Sequence, residues 1–147
     1  TYFNANVDSG FGDSNVPFEL VPDTAWLDVA LGAANACAVR DDHTLWCWGR
    51  NDLGQLGNGT TDQSWKLSQV GTDADWQAVA AGAHAGNDGS VCGIRLDGSL
   101  WCWGGTVAKG LTGSGQDANP TPVEIDAERD WVDVALGYQH LCGIDSD

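Results

Sequence analysis

The 147-residue sequence has no methionine, only four prolines, and six lysines and arginines against 21 aspartates and glutamates. It also lacks any apolar run near the roughly 20 residues that a membrane-crossing helix needs. So few cations argue against a nucleic-acid partner, since binding to a phosphate backbone draws on Lys and Arg contacts. An anionic membrane surface is disfavoured for the same reason, and the expectation is no nucleic acid and no membrane span. The net charge of -15 fits a solvated surface, with a cation or a basic partner as the other reading. Thr1-Tyr-Phe-Asn-Ala-Asn6 has neither the basic start nor the apolar centre of a signal peptide. With Thr1 in place of Met and an abrupt end, the expectation is a mature or excised piece and not a whole gene product.

What is present is glycine, tryptophan and repetition. The 20 glycines follow no three-residue period, which points to turns, and the aromatics are eight Trp beside two Tyr and three Phe. Leu45-Trp-Cys-Trp-Gly49 recurs as Leu100-Trp-Cys-Trp-Gly104. Upstream, Trp-x-x-Val-Ala-x-Gly occurs three times, at Trp26 to Gly32, Trp76 to Gly82 and Trp131 to Gly137. The chain therefore reads as modules of about fifty residues, 1–25 (incomplete), 26–75, 76–130 and 131–147 (incomplete).

Each Trp-x-x-Val-Ala-x-Gly holds too few apolar residues for a helix between turns and reads as a buried strand ended by glycine. After it, Ala36 to Arg40 and Thr44 to Trp48 flank Asp41-Asp42-His43, a hairpin with a short loop, and Val91 to Arg95 and Ser99 to Trp103 flank Leu96-Asp97-Gly98. Short apolar stretches at Phe18 to Val21, Leu67 to Val70 and Val123 to Ile125 add one strand per module, about four in all. Folding the first hairpin about its loop sets Cys37 opposite Cys47, Val39 opposite Leu45, Ala38 opposite Trp46 and Ala36 opposite Trp48. The second does the same with Cys92 and Cys102, Ile94 and Leu100, Gly93 and Trp101, Val91 and Trp103. Because side chains alternate faces, one face carries the cysteines and the other the indoles.

Four of the five cysteines thus form cross-strand pairs, and disulfides Cys37–Cys47 and Cys92–Cys102 are expected, each stabilising by roughly 2 to 3 kcal/mol. No close Cys-x-x-Cys spacing supports zinc, and no metal site or cofactor is expected. Disulfides imply an oxidising compartment, whether extracellular, cell-surface or periplasmic. Cys142 has no mate in the chain, which fits either a hairpin cut short or a thiol that pairs between chains or stays free.

Trp48-Gly-Arg-Asn-Asp-Leu-Gly-Gln-Leu-Gly57, following the Val-Ala strand and the hairpin, resembles the repeat of the regulator of chromosome condensation family, and the likeness covers essentially the whole chain. It implies an all-β fold of four-stranded antiparallel propeller blades, here an incomplete ring of about two to three. The family's nuclear exchange factor does not fit the cysteine pairs and the charge, and a secreted, disulfide-bearing, bacterial-like member is the nearer resemblance. The expected function is an extracellular or cell-surface scaffold that binds another protein, with self-association through open blade edges. A secreted inhibitor or a carbohydrate-binding propeller is the alternative. An enzyme or a nucleotide-exchange factor is disfavoured because no acid, base and nucleophile set converges.

Among single residues, Trp65 stands out in a polar segment where the sister module has Asn119 or Pro120. With Lys66, His84, Asn87, Asp88 and Lys109 it is the expected partner surface, against a packing role for the indole at a blade edge. His84 and His140 recur at module positions and read as structural hydrogen bonders, and His43, in a turn, as solvated. Asn4 to Gly10 alternates oxygen-bearing side chains like a calcium loop but lacks the closing Glu. Asn58-Gly-Thr60 is a glycosylation sequon too short to decide anything.

Overall fold

The computed structural model describes residues 23–82, 89–105, 110–111, 118–137 and 140–147. The described residues form ten strands: β1 Trp26–Leu31, β2 Asn35–Arg40, β3 Thr44–Gly49, β4 Ser64–Ala74, β5 Trp76–Ala81, β6 Ser90–Arg95, β7 Leu100–Gly104, β8 Asn119–Ile125, β9 Trp131–Leu136 and β10 Leu141–Asp145. Three antiparallel sheets result, β1-β2-β3-β4, β5-β6-β7-β8 and the two-stranded β9-β10. The stretch at Phe18 to Val21 lies outside the described residues.

The hairpins take the register that alternation dictates: Cys37 pairs with Cys47 and Ala38 with Trp46, Cys92 with Cys102 and Gly93 with Trp101. A short loop closes each one. Its last residue sits in left-handed backbone, His43 at φ 62° and Gly98 at φ 83°, as a three-residue hairpin requires. The cysteines of each couple have Cα atoms 4.1 Å apart and sulfurs at disulfide distance, 2.17 Å for Cys37–Cys47 and 2.14 Å for Cys92–Cys102. The first strands carry a bulge at a fixed place, between Trp26 and Asp28, between Trp76 and Ala78, and opposite the shift from Ile144 to Asp145. Outer strands β4 and β8 bulge where Cys47/Gly49 and Cys102/Gly104 meet them. They are longer than the apolar stretches at Leu67 and Val123 suggest.

The two faces of a blade now acquire different roles. The cysteine face of the first sheet, with Ala30, Cys37, Val39, Leu45, Cys47 and Val70, packs on the tryptophan face of the second, with Trp76, Val79, Val91 and Trp103. The second sheet's cysteine face, with Cys92, Ile94, Leu100 and Cys102, meets Val134, Trp131, Leu136 and Leu141 of the third in the same way. Within a sheet a glycine makes room for the first strand's indole: Gly93 lies against Trp76 and Gly143 against Trp131, where a Cβ would have no room. The outcome is a run of propeller blades, an open and incomplete ring among the described residues.

Candidate interaction surface

At the joint between the first and second blades, backbone groups are paired by a loop the sequence marks with Asn51 to Gly57. Asn51 is fully buried. Its Nδ2 donates to the Thr60 carbonyl at 2.9 Å and the Asp62 carbonyl at 3.0 Å, while its Oδ1 accepts from Leu56 N at 2.8 Å. Gln55 Oε1 accepts from Leu53 N at 2.9 Å, closing the loop further. The loop so shaped reaches over to the second blade. Trp103 Nε1 donates to Gln55 O at 3.0 Å, Asn119 N to Leu53 O at 3.2 Å and Gly59 N to Pro120 O at 2.8 Å. Gly57, at φ +63°, has the Trp103 indole 2.7 Å from where its Cβ would stand, and Gly54 at φ +82° is pressed on Pro120. These glycines are required by contact with the next blade, not only by their own turn.

Counting back from Trp76 and Trp131, Trp65 and Lys66 hold in the first blade the positions of Pro120 and Thr121 in the second. At Pro120 a neighbouring module's loop docks; Trp65 is 36% exposed and Lys66 is exposed. His84, Asn87, Asp88 and Lys109 lie outside the described residues, as does the Asn4 to Gly10 stretch, so the partner surface is described only at its Trp65 and Lys66 end. Cys142 is exposed and free. His140 folds over Gly137, whose N donates to the His140 carbonyl at 2.9 Å. The Asn58 sequon forms its own turn, Oδ1 accepting from Thr60 N at 3.1 Å and Thr60 Oγ1 at 2.8 Å.

His43 corrects the sequence reading. Instead of being solvated it is half-buried, with Nδ1 2.9 Å from the Trp76 carbonyl. Its own carbonyl accepts from Trp76 N at 3.0 Å, as Gly98 O does from Trp131 N at 2.8 Å. The hairpin turn is a blade joint, and the left-handed residue there presents its carbonyl to the next blade.

A relay at the hairpin turns went unforeseen, although Asp-x-Ser/Thr-x-Trp is visible at Asp42 to Trp46 and Asp97 to Trp101. Trp101 Nε1 donates to Ser99 Oγ at 2.9 Å, and Ser99 Oγ to Asp97 Oδ1 at 2.6 Å. Trp46 Nε1 donates to Thr44 Oγ1 at 2.8 Å, which donates to Asp42. Hydrogen bonds from the Thr44 and Ser99 side chains, then from their backbone N–H groups, hold the Asp42 and Asp97 carboxyls below the usual carboxylate range.

Both ends of the blade run expose apolar surface. On β1, Val29 and Leu31 are 40% and 69% exposed, whereas Val79, in Val29's place one blade on, is buried. On β10, Ile144 is 62% exposed while its counterpart Ile94 is buried. No helix among the described residues is long and apolar enough to cross a membrane.

Known proteins share this architecture. Residues 26–55 and 42–86 each match the Regulator of chromosome condensation (RCC1) repeat, the second match running from one blade into the next. The human E3 ubiquitin-protein ligase HERC2 is 25% identical over 121 residues, 81% of this chain and 2% of HERC2. The chain thus spans a small fraction of that relative. The crystal structure of Prp20p from Saccharomyces cerevisiae, reported with its binding to Gsp1p and histones, superposes with a TM-score of 0.67 at 17% identity, covering 89% of this chain and 34% of Prp20p. Human WBSCR16 gives 0.74 at 18% identity, covering 99% and 38%. At such identities the two structures speak for the fold alone. With repeat matches that span the first blade and its joint to the second, and with the blades themselves in view, residues 26–86 carry the Regulator of chromosome condensation (RCC1) repeat.

Proposed function

We propose that the chain is a rigid propeller scaffold that binds another protein at the blade rim around Trp65 and Lys66, and that it works in an extracellular or periplasmic setting. One observation carries the reading. The rim position that receives a neighbour's loop at Pro120 is filled in the first blade by a partly exposed tryptophan beside a lysine. Trp is the side chain most over-represented among residues that dominate binding energy. The compartment rests on the two cysteine couples at disulfide distance. The reading is one of binding and not of catalysis: Asn51, Gln55 and Trp103, which converge at the joint, are engaged in holding backbone. Prp20p, with the same fold, is described as binding Gsp1p and histones.

The test is affinity isolation of crosslinked protein from the culture medium or periplasm of the source cells, with wild type, Trp65→Ala and Lys66→Glu as baits and a melting curve for each. Loss of one specific protein from both variants at unchanged melting temperature supports the reading. Equal retention with a lowered melting temperature for Trp65→Ala returns the indole to packing. Sedimentation of the wild type reads self-association, the other expectation from the sequence.

A further inference from the structure

Asparagine followed directly by glycine occurs once in the chain, at Asn58-Gly59. Because Gly59 has no Cβ, nothing on that residue keeps the Asn58 side chain from reaching its backbone nitrogen. Attack of that nitrogen on the side-chain amide would close a five-membered ring. In a folded chain its rate depends on how three groups are held: the amide carbon Cγ, its oxygen Oδ1 and the nucleophilic N–H.

The fold primes one of these groups and restrains another. Asn58 Oδ1 accepts from Thr60 Oγ1 at 2.8 Å and from Thr60 N at 3.1 Å. Two donors on one amide oxygen polarise the carbonyl and stabilise the negative charge that develops there during attack. The nucleophile, by contrast, is engaged elsewhere: Gly59 N donates to the Pro120 carbonyl of the second blade at 2.8 Å. That bond does not open alone. The same loop is fastened to the second blade by Trp103 Nε1 on Gln55 O at 3.0 Å and by Asn119 N on Leu53 O at 3.2 Å. Each such bond raises the closed population about fivefold, so the three together make the open joint about a hundredfold rarer.

We propose that Asn58 is a self-modification site gated by the joint between the first and second blades: it cyclises when Pro120 releases Gly59 N, with Thr60 as the oxyanion donor. Gly59 N loses its proton to hydroxide and forms a bond to Asn58 Cγ. The Cγ–Nδ2 bond then breaks, and Nδ2 takes a proton from water and leaves as ammonia. Water opens the resulting succinimide. Opening at Cγ leaves aspartate; opening at the Asn58 main-chain carbonyl leaves isoaspartate, whose extra main-chain carbon displaces Gly59 N from Pro120. The reaction is one-way, so a transient opening of the joint becomes a permanent one. None of this rests on the Trp65 rim.

The experiment takes the oxidised full chain, made in a host that does not glycosylate, and incubates it in heavy-oxygen water at mildly alkaline pH. Peptide mapping then reads aspartate and isoaspartate at position 58, in the folded chain and in urea that unfolds it. The folded wild type should react about a hundredfold more slowly than the unfolded chain. Trp103→Phe, which removes the Nε1 bond to Gln55 O, should raise the folded rate at least about fivefold. Val134→Ala loosens the other joint, between the second and third blades, and should leave the rate unchanged well below its melting temperature. Adding Thr60→Val to Trp103→Phe should slow the folded reaction and leave the rate in urea unaltered. A folded wild type as fast as the unfolded chain, equal acceleration by Trp103→Phe and Val134→Ala, or a Thr60→Val change without effect overturns the proposal. Should Trp103→Phe fail to fold, wild type in urea below its unfolding transition decides. A rate rising less steeply than the unfolded fraction supports local opening, since less surface is exposed, and a rate proportional to that fraction overturns it.

Discussion

Replacing Asn51 by alanine tests whether the glycine loop is held by one buried amide. The side chain is wholly enclosed and makes three hydrogen bonds to backbone, two given through Nδ2 and one taken by Oδ1. Thr60 and Asp62 are exposed, so their carbonyls can turn to water and lose only the net value of a hydrogen bond, about 1 kcal/mol each. Leu56 is fully buried; its N–H would be stranded at about 1–3 kcal/mol. The expected loss is about 3–5 kcal/mol, a fall of about 10–15 °C in Tm for a domain of this size. Asn51→Asp should be worse than alanine at neutral pH, because it aims an anion at two carbonyl oxygens. Urea and thermal unfolding with the disulfides intact, followed by tryptophan fluorescence, give both numbers. A loss below about 1 kcal/mol, or an aspartate variant as stable as wild type, would refute the knot.

Gly57→Ala should destabilise at least as much as a typical core overpacking, about 1–3 kcal/mol, since its Cβ meets the buried Trp103 indole at a positive φ; rescue by Trp103→Leu would confirm the contact, and a neutral effect would deny it. Reducing one cysteine couple should cost about 3 kcal/mol for a loop closed ten residues apart, read as a shift in the urea midpoint. Because Asp42 and Asp97 titrate below their ordinary value in the folded chain, their contribution is present above the unfolded pKa of 3.8 and fades as pH falls through the lower folded value. Asp42→Asn/Asp97→Asn should therefore lower stability at neutral pH and flatten the acid limb, the gap to wild type closing as pH falls below about 4; an unaltered acid limb would dissociate the relay from stability.

Sequence and structure agree where a period of two is forced by burial. Cys37 opposite Cys47 and Gly93 opposite Trp101 were legible because each face has one kind of neighbour, and because two copies repeat the pattern. Outer strands were legible only in part. Ser64 to Gln69 shows no alternation, and a bulge sets four of its residues against two of β3, so its pairing is visible only in three dimensions. His43 looked solvated because a turn position says nothing of a second blade 2.9 Å away. Gly54 and Gly57 were recognisable as a motif, but not as the surface on which Pro120 and Trp103 sit, for that contact joins residues some fifty apart. The exposure of Trp65 carries no period at all, and the sequence could point to that indole only by its oddity.

The account rests on oxidised hairpins whose cysteine faces stack on the next blade's indoles. The most direct measurement is a non-reducing peptide map of the native chain with a thiol count. It should recover Cys37 linked to Cys47 and Cys92 to Cys102, and a single reactive thiol at Cys142. A link between any other two cysteines within one chain, or four or five reactive thiols in protein purified without reductant, would contradict it.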